Sequence, residues 1–131
     1  MKKLLVLVLS FTALNMSVAQ TKIELKDISK HIGDSVKLEG KIFGVKTFPD
    51  IKDAPVLLNL GAEYPNQLLT IAVFDSYKTR NIEMPSEKFK GEIAIVTGKI
   101  ELHKGKPQIV VRSPDQLHVA MADPIIAPNK N

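Results

Sequence analysis

Two stretches of this chain alternate with a period of two, and each carries glycine inside it. Val36, Leu38, Gly40 and Ile42 alternate with Lys37, Glu39 and Lys41, and Ala94, Val96, Gly98, Ile100 and Leu102 recur in the same way between Glu92 and His103. Such a period puts one set of side chains in a core and the other in water, which defines a strand. Both strands are long. Glycine inside a strand marks a bulge or a tight bend, so Gly40, Gly44 and Gly98 predict strands that coil across more than one sheet surface.

The rest of the pattern fills in around them. Pro55-Val56-Leu57-Leu58-Asn59-Leu60 is nearly all apolar and reads as a second strand buried over most of its surface; Leu68 to Phe74 is a third. Thr47 to Ala54 and Gly61 to Gln67 have loop composition. Lys104-Gly105-Lys106 makes a tight turn from which Gln108 to Arg112 returns as the fifth strand, ended by Ser113-Pro114. Leu25 to Gly33 reads as a short helical turn with Asp27 as N-cap and Gly33 as stop. Pro85 to Gly91 reads as a single helical turn capped by glycine.

Three strands, a helical connection and a two-strand hairpin make an all-β, five-stranded, partly closed Greek-key barrel of the OB type, with short helical segments before the first strand and between the third and fourth. SH3-like barrels lack an element at the second of those places. Leu68 to Phe74 makes Phe74 a core residue on this reading.

The 131 residues hold no cysteine. That excludes a disulfide framework, a thiolate zinc site, an iron–sulfur cluster and a cysteine nucleophile. Met1-Lys2-Lys3, the apolar run from Leu4 to Leu14 and the small residues of Ser17-Val18-Ala19 have the layout of a cleavable secretory leader over residues 1–19. Without a cysteine after that run there is no lipoprotein processing, and Asn15 stops it short of a membrane span. The expected product begins at Gln20, is periplasmic or secreted, and has no stable membrane insertion after cleavage. Its expected parts are an N-terminal segment with a short helix (20–34), the OB domain (35–119) and a flexible tail (120–131). Losing Lys2 and Lys3 lowers the 18 basic residues to 16 against 14 acidic ones, a near balance.

Several runs resemble a known group. Lys30-His31-Ile32-Gly33-Asp34-Ser35-Val36-Lys37-Leu38-Glu39-Gly40-Lys41 is one. Leu58-Asn59-Leu60-Gly61 with Tyr64-Pro65-Asn66-Gln67 is another, and Val96-Thr97-Gly98-Lys99-Ile100 with Lys104-Gly105-Lys106-Pro107-Gln108-Ile109 is a third. Together they are similar to bacterial secreted OB-fold domains of the nucleic-acid-binding type, the tRNA-anti-like and DNA-binding proteins, over about Asp27 to Leu117. The resemblance implies a binding module. A second resemblance, to secreted OB proteins of envelope stress, lacks their paired-aspartate segment here.

An OB barrel holds single strands with aromatic faces for the bases and a basic groove for the phosphates. The aromatic candidates are Phe43, Phe48, Tyr64, Phe74 and Tyr77, with Tyr64 the best placed for exposure, although a ring there also suits capping the barrel end. Lys37, Lys41, Lys99, Lys104, Lys106 and Arg112 come from adjoining strands and suit one basic stripe, diluted by Glu39, Glu92 and Glu101. Asn59, Asn66, Gln67 and Gln108 suit a base edge or a sugar, with turn stabilisation the simpler role for Asn66.

His31, His103 and His118 lack metal-ligand spacing, and Asp50 and Asp53 have no third ligand. With no nucleophile elbow, phosphate loop or carboxylate pair, neither an enzyme nor a cofactor is expected. The expected partner of this monomeric module is single-stranded DNA or RNA with weak sequence preference. The alternative is an envelope module for a protein, an oligosaccharide or a small ligand.

Overall fold

The structure, a computed structural model, describes residues 20–120. The expected leader and the expected tail beyond Ala120 lie outside the described residues. Seven strands form: β1 (Thr21–Lys22), β2 (Ser35–Lys46), β3 (Val56–Leu60), β4 (Leu69–Val73), β5 (Ile93–His103), β6 (Lys106–Val111) and β7 (Leu117–Ala120). Strands β2 to β6 are the five that the sequence predicts.

Their ladders lead from β2 to β3, β4, β6 and β5, and from β5 back to β2. All are antiparallel except β4–β6. This is the OB arrangement in an all-β chain. Besides β1, which pairs in parallel with Val36 and Lys37, β2 serves two neighbours because it is long. Its residues from Ser35 to Lys41 pair with β5, those from Ile42 to Lys46 pair with β3, and the register shifts between Ile42 and Gly44. The shift reverses the alternation. Val45 packs against the core, and Gly44 and Lys46 turn outward.

Val36, Leu38, Ile42, Leu58, Leu60, Ile71, Val73, Val96, Ile100, Ile109 and Val111 are buried from every side. Each such aliphatic chain contributes about 1.5–3 kcal/mol by leaving water, which lets a cysteine-free domain of this size hold together. The β5–β6 hairpin closes on Lys104 and Gly105, both at positive φ (51° and 79°). Two such residues give the primed turn whose twist matches its strands. Lys106, expected in the turn, instead opens β6 opposite His103.

Four expectations are corrected. Leu102 is 57% exposed: it has the inward parity of Ile100 but stands beside the hairpin turn, beyond the packed layer. Asp27 caps no helix; it lies inside a 3-10 turn, Leu25–Lys30, whose N-cap position is Glu24. The connection between β4 and β5 holds two 3-10 turns, Asp75–Tyr77 and Glu87–Phe89, rather than one. Ala120 ends β7, which pairs with Ile93 to Val96 of β5, so the sheet runs to Ala120.

β6 and β7 pair with the two ends of β5, at Ile100–His103 and at Ile93–Val96. Gln116 fills the interval between those pairings. Its Nε2 donates to the carbonyls of Thr97 (3.2 Å) and Val110 (3.1 Å), and its Oε1 accepts the N–H groups of Arg112 (2.8 Å) and Ser113 (3.2 Å). One amide thus satisfies four backbone groups that would otherwise lack partners.

Candidate functional site

The pairing registers build an outward surface on β3, β4 and β6. Gly44, Asn59, Thr70, Gln108 and Glu101 stand in one row across the strands. Lys46, Leu57, Ala72 and Val110 form the next. The first row is polar and the second mostly apolar. This is the surface on which OB barrels take oligomeric ligands, flanked by the loop after the first barrel strand and by the last hairpin.

The polar row is held tightly. Asn59 is only 8% exposed although its parity is outward. Gln67 Nε2 donates to Thr70 Oγ1 at 3.2 Å, and its Oε1 is buried without a hydrogen-bond partner. Gln108, half-buried, stands opposite Thr70. Asn66 is exposed on the loop, where its backbone N–H closes a turn onto Glu63 O (2.7 Å).

Cations sit over aromatic rings around this surface. Arg112 Cζ is 4.2 Å from the Phe74 centroid, Lys46 Nζ is 5.3 Å from that of Phe48, and Lys106 Nζ is 5.4 Å from that of Tyr64. A fourth pair, Lys41 over Phe43 at 5.4 Å, lies at the corner where β2 passes from β5 to β3. Distances below about 6 Å place each charge in the attractive field of the ring. Among the described residues the lysine–carboxylate ion pairs are Lys26–Glu24 and Lys30–Asp27, both before β2. The four stacked cations belong to none of them.

Tyr64 is 73% exposed, so it is no cap on the barrel end. Lys106, which also donates to Pro65 O (3.1 Å), ties the Tyr64 loop to the hairpin. Phe74, expected in the core, is half-buried on the outer side beneath Arg112. Tyr77 is the aromatic that goes inside, 5% exposed, with its hydroxyl donating to Leu117 O at 3.2 Å. Burial raises its phenol above the ordinary value.

The expected basic residues do not form one stripe. Lys37 and Lys41 project from the part of β2 that pairs with β5, Lys104 is in the turn, and Lys106 stands at the hairpin end of β6. Lys99 and Arg112 come together in a shallow hollow of about 380 Å³ with Glu101, Val110 and Gln116.

Lys46, Thr70 and Gln116 were missed by the sequence reading, which named Phe48 without its partner. The signal for Lys46 is the Lys-x-Phe of Lys46-Thr47-Phe48, which repeats that of Lys41-Ile42-Phe43.

His31 Nδ1 meets Asp34 Oδ2 at 3.2 Å. Among the described residues no three His, Asp or Glu side chains gather as metal ligands, and no helix is long and apolar enough to cross a membrane.

Comparison with protein-family models and with curated proteins gives no match. Solved structures do match. An OB domain from Methanosarcina mazei, determined by solution NMR, is similar at a TM-score of 0.53 and 13% identity, over 79% of this chain and 86% of that one. A crystal structure of a protein described as an aspartyl-tRNA synthetase from Leishmania major Friedlin is similar at a TM-score of 0.50 and 10% identity, over 81% of this chain and 22% of that one. At these identities the likeness shows the OB fold.

Proposed function

We propose that this chain is a single-strand nucleic-acid-binding OB module with little sequence preference, acting by binding and not by catalysis. The observation that carries the reading is the set of cations stacked on partly exposed rings around the β3–β4–β6 surface and free of carboxylate partners among the described residues. Such pairs hold charge and a flat apolar face side by side, which is what a strand of alternating phosphates and bases needs. From Lys106 to Arg112 the surface extends about 20 Å at ~3.3 Å per residue, room for a short run of nucleotides.

A labelled oligothymidylate titrated at several salt concentrations tests the reading. Affinity is expected to fall as salt rises, and Lys46→Gln to lower the slope by about 0.7. Absence of binding at low salt overturns the reading. It would favour the second one, an envelope module for oligosaccharide or protein, which the row of Asn59, Thr70 and Gln108 supports through its fit to sugar hydroxyls.

The reading includes export. The leader-like residues 1–19 support it, and mass spectrometry of the processed protein is expected to find Gln20 first. A processed protein that retains Met1 contradicts it.

A further inference from the structure

We infer that the hollow between β5 and β6 is a phosphate-binding subsite in which Lys99 and Arg112 hold the anion. The inference deepens the nucleic-acid reading and rests on it for the source of the phosphate.

Lys99 stands outward on β5 and Arg112 outward just past β6, and they line the same depression of about 380 Å³ with Glu101, Val110 and Gln116. Neither cation is in an ion pair of the described residues. The guanidinium of Arg112 rests 4.2 Å from the Phe74 centroid. Stacking of that kind fixes the plane of a fork whose paired N–H groups match two oxygens of a phosphate.

The floor beneath is equally fixed. Gln116 holds the backbone N–H of Arg112 at 2.8 Å and the carbonyl of Val110 at 3.1 Å. Gly98, next to Lys99, lets β5 and β6 approach so closely that a Cβ there would stand 2.7 Å from Ile109 Cγ2. A site whose backbone is already held by hydrogen bonds loses little entropy on binding. Two cations face one carboxylate, Glu101, so the hollow attracts an anion while the carboxylate limits its strength.

The test titrates inorganic pyrophosphate into the ¹⁵N-labelled protein and follows its amide resonances. Saturable shifts are expected at Lys99, Val110, Arg112 and Gln116, with Lys99→Gln and Arg112→Gln each weakening the affinity about tenfold. Glu101→Gln is expected to tighten it about threefold, a gain that misfolding cannot imitate. No shift in the hollow, or equal shifts at Lys46 and Lys106, overturns the subsite. Oligonucleotide binding read beside it separates the two claims. If oligothymidylate binds while the Lys99 and Arg112 variants take pyrophosphate as the unaltered protein does, the subsite falls and the nucleic-acid reading stands. If pyrophosphate binds here and no oligonucleotide does, the reading falls and the anion site stands.

Discussion

The guanidinium of Arg112 lies over the ring of Phe74, 4.2 Å from its centroid, across the parallel pairing of β4 and β6. The two residues are far apart in sequence, and only the return of β6 alongside β4 brings them together. Their contact joins the two chemistries that a single strand demands, and it sits at the opposite end of β6 from the Lys106–Tyr64 pair.

If bases stack on Tyr64, Tyr64→Ala costs about 1–3 kcal/mol of oligonucleotide affinity and leaves the salt slope unchanged, since stacking releases no counterions, whereas Phe74→Ala frees Arg112 from its ring and lowers the slope as well. Tyr64 is 73% exposed, so its replacement is expected to alter folding stability by no more than about 0.5 kcal/mol. Anisotropy titrations and denaturant melts of the same variants read both quantities. A Tyr64→Ala protein that binds as before but melts early would make that ring a structural support.

Ile100 and Leu102 share one parity on β5, yet Ile100 is 0% exposed and Leu102 is 57% exposed. Urea denaturation is expected to show Ile100→Ala losing about 2–5 kcal/mol through lost burial and a residual cavity, and Leu102→Ala losing about 0.5 kcal/mol or less. Equal losses would place the end of the packed layer beyond Leu102.

How far the fold could be read from the sequence follows from the same contrast. Alternation located β2 and β5, and the glycines of β2 pointed to the shift at Ile42 and Gly44, because burial and bulge geometry act within a few residues. β7 escaped because it is four residues long and follows Pro114; its pairing with β5 is a tertiary event. The site was less legible. Asn59, Tyr64, Gln108, Lys106 and Arg112 were candidates, but Phe74 was assigned to the core because it ends an apolar strand, and Lys46 was lost in the approach to a turn. Which lysine lies over which ring depends on strand register and side-chain reach, and Lys106 is paired with a ring 42 positions earlier.

Tyr77 fastens the β4–β5 connection to β7 through its hydroxyl bond to Leu117 O. Burial raises the folded-state pKa above the usual value of about 10. A raised pKa means that the protonated phenol is favoured by folding. Its contribution is therefore complete below about pH 10 and is lost as pH climbs through the folded value. Tyr77→Phe is expected to cost about 1 kcal/mol at neutral pH and to flatten the alkaline decline in a denaturation series from pH 8 to 11. A variant whose decline matches that of the unaltered protein would assign the alkaline loss to other groups.

Whether the β3–β4–β6 surface binds a single strand by stacking its bases as well as by holding its phosphates is read from the affinity for an oligothymidylate of about 12 nucleotides against that for an abasic strand of equal length and charge. Similar salt slopes are expected for the two, with an affinity at least about tenfold lower for the abasic strand, the loss of one or more stacked bases. Equal affinities would contradict base stacking and reduce the surface to a polyanion site.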